Sequence, residues 1–148
     1  MRSNAAQANH NNAKAQARSQ GLTGQAKQNH LAQAAQHHIA RTLNHASDKQ
    51  IQAQQLVQQS NQQIQREFHN RQDTVPPFIQ VTHDQATYNA QRSIAHGPVT
   101  QENHKSVRSW AVASIRRSQD VQDAIQGDPV VKARTPGFQD DDFVDEDE

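Results

Sequence analysis

Residues 25–71, QAKQNHLAQAAQHHIARTLNHASDKQIQAQQLVQQSNQQIQREFHNR, contain no glycine or proline and are dominated by Gln and Ala. A stretch this long without a breaker can form one long helix and little else. Its apolar and small residues fall at Leu31, Ala35, Ile39, Leu43, Ala46, Gln50, Ala53, Val57, Ser60, Ile64 and Phe68. The steps of three and four average about 3.7 residues, the period of a helix face and not of a strand. That mean lies nearer an 11-residue repeat than a heptad. Any supercoil is therefore expected to be straight or slightly right-handed, and a left-handed leucine zipper is disfavoured. Gln50 and Ser60 sit in the seam itself, and Ile51 and Leu56 widen it by one position on either side. A helix of about 45 residues would be about 70 Å long. Propensity alone does not hold such a helix, so the seam is expected to need a partner.

Composition sharpens that expectation. Hydrophobic residues make up 32% of the chain and aromatics 4%. So few large apolar side chains offset only part of the conformational entropy lost on folding. Part of the chain is therefore expected to be disordered alone, or to complete its folding in an assembly. There are no cysteines, which excludes disulfides, thiolate nucleophiles and Cys-based metal sites. The opening MRSNAAQANHNN lacks the apolar core of a signal peptide. The longest apolar run, residues 110–113, is too short to span a membrane. The expectation is a soluble chain made in the cytoplasm, with no membrane insertion of its own.

The formal net charge is zero, yet charge is segregated. Residues 1–71 hold eight Lys and Arg against Asp48 and Glu67, a net of +6. The last ten residues, QDDDFVDEDE, hold seven acids and no base. Such polarity is typical of interaction tails.

The fold class expected is all-α and extended: one long amphipathic helix, two shorter helices, and disordered or extended termini. Residues 1–24 are expected to be a flexible polar arm, helical only when docked and then over Ala-rich pieces such as residues 12–20, separated from the long helix by Gly21 and Gly24. Residues 72–83 are expected to be an extended linker, because Pro76 and Pro77 stop helix propagation. Phe78, Ile79 and Val81 then form an apolar patch that folds back on a helix or docks a partner. Residues 84–127 are expected to be a helical hairpin. Asp84 would cap a helix over about 85–96, ended by Gly97 and Pro98. Thr100 would cap another over about 101–126, with Glu102 in its first turn. Val107, Trp110, Ala111, Ser114, Ile115, Ser118, Val121 and Ile125 make a second stripe, with Trp110 as its anchor. Residues 128–148 are expected to be an extended segment and an acidic tail.

The candidate functional residues are therefore interface residues. The seam is Leu31, Ile39, Leu43, Val57, Ile64, Phe68, Val107, Trp110, Ile115, Val121 and Ile125. Partner docking falls to Phe78, Ile79 and Val81, and to Phe143 and Val144 in the tail. His30, His37, His38 and His45 recur at about seven residues, about 10 Å along a helix axis, too far apart to share one metal ion. No metal or other cofactor is expected. No nucleophile elbow, phosphate loop, dinucleotide turn or calcium loop occurs, so an enzyme is not expected. Nucleic acid is the competing partner: the N-terminal half is basic and amide-rich, and Arg108, Arg116 and Arg117 form a small cluster.

The segments QAKQNHLAQAAQHHIA and QIQAQQLVQQSNQQIQREF, in a chain with no Cys and polar ends, resemble the small internal virion (ejection) proteins of short-tailed bacteriophages. The resemblance is one of style and spans about residues 25–126. It implies a helical homo-oligomeric subunit, made in the host cytoplasm and stored in the virion around the portal and core proteins. Such a subunit would assemble into a ring or tube in the cell envelope at DNA delivery; DNA contact through the basic N-terminal half is an expectation from charge alone. The membrane-active apolar segment that some such proteins carry is missing here. Phage scaffolding and head–tail joining proteins share the same style.

Overall fold

The computed structural model describes residues 3–127. Their regular structure is all helical: α1 (Asn4–Ser19), α2 (Gly24–Glu67), a 3-10 turn (His69–Arg71), α3 (Pro77–Ala95) and α4 (His104–Ile125). The chain divides into two compact units, one ending at Asn44 and the other beginning at His45. Helix α2, 44 residues long, contributes to both.

The first unit corrects the expectation of a flexible arm. Residues 4–19 are a helix, and Ser3 caps it by accepting a hydrogen bond on Oγ from the Ala6 amide at 3.1 Å. Ala13 and Ala17 are buried. Asn9 ties the helix to α2: its Nδ2 donates to the Ala34 carbonyl at 3.1 Å, and its Oδ1 accepts from Arg41 at 3.1 Å. Gly21, at φ +69°, ends α1 in a Schellman turn. Its amide bonds to the Arg18 carbonyl, and that of Leu22 bonds to Ala17. The glycine read as a separator is the turn that returns the chain.

The second unit consists of the later part of α2, the 3-10 turn, α3 and α4. After Glu67 the backbone breaks at Phe68 and closes on Gln72 in the left-handed region, so the long helix ends earlier than 71. The extended stretch is shorter than 72–83, because Pro77 is the first residue of α3. Proline stops a helix that precedes it, but its fixed φ and missing N–H suit the first helical position. Asp84 is consequently mid-helix and not a cap; its Oδ1 accepts from Gln80 Nε2 at 2.9 Å.

Between α3 and α4, Gly97 takes φ +77°. Thr100 and Asn103 then bond reciprocally. Thr100 Oγ1 accepts from the Asn103 amide at 3.2 Å, and Asn103 Oδ1 accepts from the Thr100 amide at 2.7 Å, closing the turn ahead of α4, which begins at His104 and not at 101 with Thr100 as its cap. Asn103 Nδ2 also donates to the carbonyls of His96 and Pro98, at 3.1 and 2.9 Å. One side chain thus holds the α3–α4 connection together.

The core of this unit explains how a chain with so little hydrophobic residue folds. One cluster joins Ile64, Ile79, Val121 and Ala124, flanked by Phe68, Val75, Phe78 and Ile125. A second joins Ala53, Ala90, Ala111 and Ile115, flanked by Leu56 and Val57. Serine hydroxyls cross between helices to backbone carbonyls: Ser114 to Ala86 at 2.7 Å, Ser93 to Val107 at 2.8 Å and Ser60 to Ser118 at 3.4 Å. Gln50 Nε2 reaches the Ser93 carbonyl at 3.1 Å. Buried polar side chains are tolerable where such bonds replace water.

Candidate interaction surfaces

In the second unit the partner that the α2 seam requires is the chain itself. Val57, Ile64 and Phe68 pack into the two clusters just described, together with Ile115, Val121 and Ile125. Val107 is fully buried. In the first unit Leu31, Ile39 and Leu43 are only half-buried, and Ala35, expected in the seam, is exposed. Ile51, expected at the seam edge, is 52% exposed.

The expected docking patch splits. Phe78 and Ile79 turn inward against Ile64, because helix α3 begins at Pro77 and carries them on its buried side. They are core residues and not an extended docking peptide. Val81 lies on the outer side, 42% exposed. Phe143 and Val144 lie outside the described residues.

Trp110 is half-buried, not a fully enclosed core residue. Tyr88 meets it edge to face, with ring centroids 6.1 Å apart and planes at 82°. The Arg92 guanidinium lies 5.5 Å from the indole centroid, within cation–π range. Tyr88 is itself 51% exposed. The trio closes the outer seam between α3 and α4 instead of filling a pocket.

The cluster Arg108, Arg116 and Arg117 is not a surface patch. Arg116 is exposed, Arg108 is half-buried, and Arg117 is buried in a 3.9 Å ion pair with Asp120 on the same helix. Sequence reading missed this pair. The only signal was the i,i+3 spacing of opposite charges, which says nothing of burial.

His83 was also missed. It is buried on α3, and its Nδ1 has no hydrogen-bond partner. Burial lowers its pKa below the usual 6.5, and neighbouring Asp84 offsets part of that shift. Of the histidines weighed for metal binding, His37 and His45 are exposed, and His30 and His38 are half-buried. Among the described residues no group of three or more His, Asp or Glu side chains is placed to hold a metal ion. No described helix is long and apolar enough to cross a membrane.

The first unit has a different character. Asp48 is the first acidic residue of the chain, so the hairpin of α1 and α2 through Asn44 carries none. Lys14, Arg18, Lys27 and Arg41 are all exposed on it. Among the described residues the large exposed hydrophobic ones, Ile51, Val81, Tyr88 and Ile94, lie in the second unit.

No protein-family profile, curated protein or solved structure matches this chain.

Proposed function

We propose that this chain is a structural assembly component of a phage particle, of the internal virion or head–tail kind, acting as a homo-oligomer. The observation carrying the reading is the unevenly covered α2 seam. In the first unit α1 offers Ala13 and Ala17 as its buried apolar residues, and Leu31, Ile39 and Leu43 are left incompletely buried along one helix. A second copy would cover that row in the manner of an oligomer built on long helices. Exposed Ile51, Val81, Tyr88 and Ile94 supply further apolar contact area on the second unit. The particle context rests on the resemblance of the Gln/Ala-rich segments to phage ejection proteins. Portal and core proteins are the heterologous partners it implies.

The test is sedimentation velocity of the full chain over a wide concentration range, with wild type beside Leu31→Gln/Ile39→Gln. Assembly of the wild type that the double variant loses, with helix content retained, is the expected result. A wild type that stays monomeric throughout, alone and with phage portal or core proteins, overturns the reading.

A further inference from the structure

We propose that the first unit binds the phosphate backbone of duplex nucleic acid, without sequence preference, through Lys27, His37 and Arg41 on one face of α2. This inference goes beyond the assembly reading and does not rest on it.

The three residues occupy one stripe. Ten and then four residues separate them, and at 3.6 residues per turn they fall within about 80° of one another. All three are exposed. The stripe spans fourteen residues, about 21 Å of helix. Asn9 fixes which side of the hairpin the stripe occupies. It accepts from Arg41 while donating to the Ala34 carbonyl, so Arg41 emerges at the α1–α2 edge. Lys14 and Arg18 are about 140° and 180° away from Asn9 around α1, on the other side of the hairpin.

Three observations select the partner. Residues 1–44 contain no carboxylate to repel a polyanion, and cations that replace condensed counterions drive phosphate binding. Its exposed polar surface is mostly amide, including Asn12, Gln16, Gln33 and Asn44, suited to hydrogen bonds with phosphate and sugar oxygens. An anionic bilayer fits less well, because membrane-surface helices insert large apolar side chains, and Leu22, Leu31, Ile39 and Leu43 of this hairpin are each only partly exposed. Single strands fit less well too. They are held by aromatic stacking, and the first aromatic residue of the chain is Phe68.

The test is fluorescence anisotropy of a labelled duplex titrated with the full chain at several salt concentrations. The variants are Lys27→Gln/Arg41→Gln and, as control, Lys14→Gln/Arg18→Gln. Two lost phosphate contacts make the salt slope of log K shallower by about 1.8 in the first variant. Between about 50 and 200 mM salt the wild type then weakens about twelvefold more than that variant. The control retains the wild-type slope within half of that difference. Lys27→Gln alone, which leaves the Asn9–Arg41 bond in place, should shift the slope by about 0.9 and guards against a folding defect in the double variant. The proposal is overturned by no duplex binding at low salt, by equal losses in both double variants, by tighter binding of a single strand of equal length, or by vesicles of anionic phospholipid competing away the duplex.

Discussion

Trp110→Ala tests whether the α3–α4 seam is closed as the structure shows. The indole is half-buried, so its truncation removes part of the transfer free energy of a buried aromatic, about 1–2 kcal/mol. The edge-to-face contact with Tyr88 adds about 0.5–1.5 kcal/mol, and the Arg92 contact about 0.5–1 kcal/mol at this exposure. These contributions overlap, and a total of about 2–3 kcal/mol is expected. That is below the roughly 3–5 kcal/mol of a fully enclosed ring. Urea unfolding followed by circular dichroism measures it. Because Trp110 is the only tryptophan, its emission reports on this seam alone. A double-mutant cycle with Tyr88→Ala isolates the ring contact, with an expected coupling of about 0.5–1.5 kcal/mol. A loss under about 1 kcal/mol, strict additivity with Tyr88→Ala, and fully water-like emission would together refute the placement of the ring.

Two further outcomes follow from single residues. His83 has a lowered pKa in the folded state, so the unfolded chain binds more protons as pH falls through 6.5. Its contribution to stability is present above pH 6.5 and is lost as pH drops toward the lowered folded value. Thermal melts of wild type and His83→Gln on either side of pH 6.5 should show the larger acid loss in the wild type. Asn103→Ala removes its side-chain bond to the Thr100 amide and two loop bonds, and should cost about 1–2 kcal/mol in urea unfolding while Glu102→Ala costs little.

Helix α2 was legible because its stripe repeats often enough for the period to survive Gln50 and Ser60 falling within it. Helix α1 was legible only in its second half, as an Ala-rich piece that becomes helical when docked, because Ala13 and Ala17 give little contrast with the alanines on its solvent side. Proline 77 misled for a definite reason: the same ring that ends one helix favours the start of the next. Phe78 and Ile79 were recognised as an apolar patch, but the extended register assigned to them hid their common burial. Trp110 was found by its place in the stripe. Its half-exposure depends on Tyr88 and Arg92, residues on another helix, and no local pattern discloses that. The burial of Arg117 with Asp120 was hidden in the same way.

The seam residues that pack within the second unit change what self-assembly would require. Ile64, Phe68, Ile115 and Val121 are satisfied inside one chain, so the helicity of residues 45–67 does not need a neighbour. Only the row Leu31, Ile39 and Leu43, with the exposed residues of the second unit, remains to be covered. On the hairpin, helical spacing sets Ile39 and Leu43 apart from the Lys27, His37 and Arg41 stripe, whereas Leu31 follows Lys27 by four residues and lies about 40° from it. Ile39 and Leu43 lie about 160° from His37 and Arg41 around α2, beyond the width of one contact face. Self-association through Ile39 and Leu43 therefore need not compete with phosphate binding for the same side of the helix. Ile39→Gln/Leu43→Gln and Lys27→Gln/Arg41→Gln should act independently, each abolishing one behaviour and sparing the other.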